Sequence, residues 1–180
     1  MNGSEFIVID LEGFDNNNLI VKELSVYGKN YQDTLLFKPP QDFSSLPTEN
    51  RPSIIFLTRK IHGIDWDHGF YPYNFIHSYF ISLRFRFPTA IVFVKGNMKR
   101  EFLSKFLKNV YDLEKLGCPP LKQLSGNSIL SCENHTNLDP SNTVQTFWHC
   151  SKLKSCVAYQ WLEGWCNANQ SNANSQFERL

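Results

Sequence analysis

The sequence predicts an α/β domain in which a mixed sheet carries helices on both faces. Three observations lead there. The chain opens with three β-branched, apolar runs separated by short polar breaks, FIVIDLEGF, LIVKELSVYG and YQDTLLF, which read as consecutive strands. Later, TAIVFVKG is an apolar run of strand length that feeds NMKREFLSKFLKN, whose apolar residues recur at helical spacing. VYDLEKLGCPPLKQL then repeats that strand-then-helix order, which is what a parallel crossover needs.

Taken in order, Phe6 to Glu12 reads as a buried strand, and its alternation places Asp10 and Glu12 on one side. GFDNNN breaks it before Leu19 to Gly28, and the third strand closes at Pro39 and Pro40, which cannot continue a ladder. Gln41 to Pro52 is a polar loop, and IIFLTRKIHGIDWDHG mixes a short helical or extended piece with a turn at HGID. Between Tyr73 and Phe87, residues Phe75, Ile76, Tyr79, Phe80 and Leu83 mark an amphipathic helix that Pro88 ends. In the next helix Met98, Phe102, Phe106 and Leu107 share a face. Ser125 to Ser155 lacks periodicity, and a loop of that length needs something to order it. SCVAYQWLEGW is expected as the last helix, so residues 1–166 form one domain and 167–180 a polar tail.

Charge narrows the function classes. Eighteen basic against seventeen acidic residues leave a net +1, which excludes the broad positive field of a general nucleic-acid binder and requires any polyanion site to be local. No apolar run is long enough for a membrane span, and MNGSEF lacks the regions of a signal peptide, so a cytoplasmic or nuclear protein without a membrane partner is expected. Five cysteines, an odd number, fit thiols or a metal site better than a disulfide framework.

Three constellations could carry chemistry. Asp10 and Glu12 could share a Mg²⁺ or Mn²⁺, as two-metal phosphodiester hydrolysis requires, or be a solvated strand end. Cys132-x-x-His135, with Cys156 later, offers zinc donors inside the one loop that lacks its own packing. Arg59, Lys60, Arg84, Arg86, Lys95, Lys99, Arg100, Lys105 and Lys108 are interleaved with aromatics. Of these, Lys95, Lys99 and Arg100 fall beside the acid pair, where they could meet a nucleic-acid backbone directly or form a solvated helix face. His62, His68 and His77 read as turn or helix-surface residues, Cys118 as structural and Cys166 as incidental.

FIVIDLEGF with its hairpin, LTRKIHGIDWDHG, AIVFVKGNMKREFL and VYDLEKLGCPPL together resemble the layout of the DEDDh 3′ to 5′ exonucleases, from Phe6 to about Leu124. That resemblance implies a ribonuclease-H-like fold with Asp10 and Glu12 as metal-binding acids. The chain departs from the pattern in two places. Lys95 and Gly96 stand where His and Asn are expected, with Lys99 and Arg100 around the third acid, and SCVAYQWLEG lacks an H-x-x-x-x-D element. The cysteines and histidine resemble those of the Maelstrom domain, a relative that has lost these acids and gained a Glu-Cys-His-Cys zinc set. The likeness implies a structural Zn²⁺ held by Glu23, Cys132, His135 and Cys156. Cys150 competes for the last place, because twenty residues separate His135 from Cys156 where the family has a much shorter gap. The expected function is a zinc-stabilised, catalytically degenerate exonuclease-like domain that binds single-stranded RNA or DNA, RNA foremost. Two alternatives remain: an active Mg²⁺- or Mn²⁺-dependent nuclease using Asp10 and Glu12 with Glu101 or Asp112, and a protein-interaction module presenting the aromatics of WDHGFYPYNF.

Overall fold

The computed structural model describes residues 5–15, 19–124, 133–135 and 149–169. Strand β1 runs Phe6–Asp15, further than the sequence suggests, and pairs antiparallel with β2, Leu19–Gly28. The ladder shifts register between Glu12 and Gly13, and a Cβ at Gly13 would collide with the Ile20 backbone, so glycine is needed for the strands to approach there. Strand β3, Tyr31–Leu36, extends the antiparallel half on the far side of β2.

Helix α1, Arg51–Phe56, starts with Pro52 in its first turn and continues as wider turns over Leu57–His62 until Gly63, at φ 69°, stops it. Helix α2 is Phe75–Arg86, and β4, Ile91–Val94, then enters the sheet parallel to β1. Helix α3, Asn97–Leu103, crosses to β5, Val110–Asp112, which lies parallel to β4. A short α4, Leu121–Leu124, follows, and α5, Ser151–Ala168, closes the described chain. The five-stranded sheet is therefore mixed, in the order β3-β2-β1-β4-β5.

Alternation along β1 assigns the two faces. Ile7, Ile9 and Leu11 pack with Ile76, Phe80 and Leu83 of α2 and with Leu103 and Leu107, whereas Val8 packs with Ala158, Tyr159 and Leu162 of α5. Asp10 and Glu12 continue the Val8 side and so lie toward α5. Lys22, fully buried, donates to the carbonyls of Trp66 and His68 at 2.6 Å each and ties that loop to β2.

Four expectations need correction. The last helix begins at Ser151, inside the segment expected as loop, and runs to Ala168, into the expected tail. Met98 is 49% exposed, because α3 ends at Leu103 and turns Leu103 and Leu107 inward instead. His62 is buried with its ring edge against Phe14, not a surface turn residue. Trp66 is buried too, which leaves Phe70 and Tyr71 as the exposed rings of WDHGFYPYNF. Cys132 and residues 170–180 lie outside the described residues. No helix among the described residues is long and apolar enough to cross a membrane.

Candidate metal centre and acid pair

The β1–β2 register sets Glu12 directly opposite Glu23 and Asp10 opposite Ser25. Opposed residues share a face, with Cβ atoms about 5 Å apart. Three carboxylates therefore crowd under the start of α5, with Asp10 3%, Glu12 9% and Glu23 0% exposed. Buried like charges this close require compensation, and the two halves of the face obtain it differently.

Glu23 is held by neutral donors. Its Oε2 accepts from the Ser151 N–H and the Ser151 hydroxyl, both at 2.8 Å, and its Oε1 accepts from Asn134 at 2.9 Å. His135 places Nε2 3.3 Å from Glu23 Oε2, while its Nδ1 meets the carbonyl of His62. A carbonyl only accepts, so Nδ1 carries the hydrogen, and a neutral ring then aims the Nε2 lone pair at a carboxylate oxygen. Two acceptors facing each other repel unless a proton or a metal ion lies between them. The Cys150 thiol completes the group, for the ligand atoms of Glu23, His135 and Cys150 all lie within 4.8 Å of one another. Carboxylate oxygen, imidazole nitrogen and thiolate sulfur are donors that zinc accepts, and a carbonyl partner on the second ring nitrogen is the usual way a histidine ligand is oriented. Burial pushes the Glu23 pKa up, but in the metal-free site a proton on His135 Nε2 makes that ring a cationic donor, which with Asn134 and Ser151 outweighs burial and holds the value at about 2. The carboxylate is thus ionised and able to ligate.

Glu23 and His135 are brought together as the sequence suggests, and Cys132 lies outside the described residues. The cysteine joining them is Cys150 rather than Cys156. Because α5 starts at Ser151, Cys150 is the residue at its N-terminus, and Cys156 lies about 9 Å further along the axis, against the Tyr27 hydroxyl.

Asp10 and Glu12 are compensated by ammonium groups. Lys99, in the first turn of α3, donates to Asp10 Oδ1 at 2.8 Å and stands 3.7 Å from Glu12 Oε1. Lys154, from α5, pairs with Glu12 Oε1 and lies 3.5 Å from Asp10 Oδ2. Burial would lower the Lys154 pKa, but Asp10 and Glu12 more than reverse this and raise it above its ordinary value. His149, half-buried beside this group, has its pKa lowered by burial despite the opposing charge of Glu12. The halves are joined through one helical turn, since the Lys154 N–H donates to the Cys150 carbonyl at 3.0 Å.

The three cations expected to meet nucleic acid separate. Lys99 faces the acids, Lys95 donates to the Cys118 carbonyl at 2.9 Å and pairs with Glu114, and Arg100 is half-buried, bonded to Asn97. Both candidates for a third acid have hydrogen-bond partners of their own. Glu101 is exposed and accepts from Asn97, while Asp112 accepts from the Gly96 and Glu114 N–H groups. Sequence reasoning misses Lys154. The signal was present, because His149 and Lys154 stand five residues apart, the spacing of H-x-x-x-x-D with lysine in place of the acid. No protein-family model matches this chain, and no curated protein or solved structure matches it, so the residues' roles are read from their own chemistry.

Proposed function

We propose that this chain is a zinc-stabilised, catalytically degenerate ribonuclease-H-like domain, similar to the Maelstrom domain, that binds single-stranded nucleic acid, RNA foremost. The observation that carries this reading is one sheet face on which a zinc-type donor set adjoins an acid pair whose charges are met by Lys99 and Lys154. Glu23, His135 and Cys150 would hold the ion, with Cys132, three residues before His135, as the fourth donor. A closed zinc site of this kind supplies folding energy, not catalysis, and here it would fasten the start of α5 to β2. The strand order and the helices on both faces agree with the fold that the resemblance implies.

Support for a nucleic-acid ligand comes from charge distribution. Between residues 68 and 111 the sole acid is Glu101, against Arg84, Arg86, Lys95, Lys99, Arg100, Lys105 and Lys108. Arg84 and Lys108 line a groove of about 470 Å³ floored by Ile7, Leu83 and Val92, and Phe85 beside them is 83% exposed. A cation pair next to an exposed ring suits a phosphate backbone with stacked bases. The test joins metal analysis with anisotropy of a labelled single-stranded RNA. One zinc per chain, and binding that falls between about 50 and 200 mM salt and on Arg84→Glu with Lys108→Glu, are expected. No binding at the lower salt overturns the nucleic-acid reading. The exposed Phe56, Phe70 and Tyr71 would then favour a protein partner.

A further inference from the structure

We infer that Lys99 and Lys154 are the resident cations of the Asp10–Glu12 pair and close the wild-type pair to Mg²⁺ and Mn²⁺. The inference is independent of both the zinc and the nucleic-acid readings. Two buried carboxylates on one strand face are bridged by two ammonium groups, one from α3 and one from α5. Two negative and two positive charges make the group neutral as it stands. A divalent ion entering it would face both ammonium groups at short range and would have to displace them.

Displacement is opposed by the way each lysine is anchored. The α5 turn that carries Lys154 is fixed by Ser151, which donates to Glu23 through both its N–H and its hydroxyl. The start of α3, which carries Lys99, is fixed by the Gly96 N–H bonded to Asp112 at 2.9 Å. A second observation shows unused ligand capacity. Asp10 Oδ2 is buried and accepts no hydrogen bond, so this oxygen faces the cluster with only the ion pair to Lys154. Metal-binding capacity is therefore masked, not absent: exchanging each lysine for glutamate, the longer acid, would turn carboxylates from α3 and α5 toward those of β1, a donor type that Mg²⁺ and Mn²⁺ accept.

The experiment measures Mn²⁺ binding by the full chain, from the electron paramagnetic resonance signal of free Mn²⁺. Wild type is expected to bind no Mn²⁺ at the acid pair in the submillimolar range, so that Asp10→Asn changes nothing. Lys99→Glu with Lys154→Glu is expected to bind Mn²⁺ at least about tenfold more tightly than wild type, a gain that added Asp10→Asn removes. Should the double variant not fold, Lys154→Met is read by thermal melting. Mn²⁺ is expected to raise its Tm and leave that of wild type unchanged. The inference is overturned by submillimolar wild-type binding that Asp10→Asn abolishes, by a folded double variant that binds no better than wild type, or by a Lys154→Met protein whose Tm ignores Mn²⁺.

Discussion

Glu23 and the Asp10–Glu12 pair sit on one sheet face, opposed across one ladder, yet their charges are met in different ways. Glu23 is satisfied by N–H and O–H donors and faces an imidazole and a thiol, a donor set that could hold a metal ion. Asp10 and Glu12 are satisfied by lysines supplied by the chain itself. Burial alone therefore does not decide how a carboxylate is compensated. What differs is whether the groups around it are hydrogen-bond donors with metal-type ligands or lysines resident in the chain.

The largest expected effect breaks the Glu23 half. Glu23→Ala strands the Ser151 N–H and hydroxyl and the Asn134 amide in a buried site and removes a donor from the cluster. A loss of about 3–5 kcal/mol is expected from urea unfolding, with zinc content falling in parallel. A strong chelator should destabilise wild type and leave Glu23→Ala unchanged.

Next in size is the lysine half. Lys154→Met leaves two buried carboxylates with one ammonium and should cost about 3 kcal/mol at an unchanged m value. Adding Glu12→Gln removes the uncompensated charge, so the double variant should recover part of the loss. A double variant as unstable as the sum of the two single variants would show that the lysine acts by packing rather than by charge.

How far these two halves can be read from sequence depends on what fixes them. Same-side placement of Asp10 and Glu12 follows from strand alternation, and the opening strands follow from β-branched runs, so both are legible. The opposition of Glu12 and Glu23 is not, because it depends on a register shift at Glu12 and Gly13. The start of α5 is hidden for another reason. Its N-cap is Cys150, which makes no side-chain cap, and its first turns bury Ser151 and Ser155 beside Leu153 and Val157, so no capping signal marks the start and the apolar stripe is mixed with polar residues. Lys154 disappears with that boundary. Lys99 is placed correctly at a helix start, but a lysine there reads as solvent-facing until the acid beneath it is seen.

Acid should separate the halves by a smaller effect. The Glu23 pKa is lowered from 4.5 to about 2, so the stability it contributes is fully present above its unfolded value and is lost as pH falls through that window. The Lys154 pKa is raised, so its own protonation contributes fully throughout the acid range and its loss begins only at high pH. In chelator-treated protein, Glu23→Gln should therefore flatten the fall in stability between about pH 4.5 and 2, whereas Lys154→Arg should not. Equal acid limbs in wild type and Glu23→Gln would remove the difference drawn between the halves.

The smallest expected change comes from the cysteine that lies outside the Glu23, His135 and Cys150 group. Cys156 lies against the Tyr27 hydroxyl on the same helix that begins beside Cys150. Serine at 156 keeps a small hydrogen-bonding group there, so Cys156→Ser should cost about 1 kcal/mol or less and leave zinc content at the wild-type level. Cys150→Ser replaces a thiolate donor by a far weaker ligand at the heart of the donor set and should lose zinc. Metal content measured on the two variants side by side turns a distance between two cysteines on one helix into a choice of ligand. Zinc lost from Cys156→Ser and kept in Cys150→Ser would reverse that choice and move the ion away from Glu23.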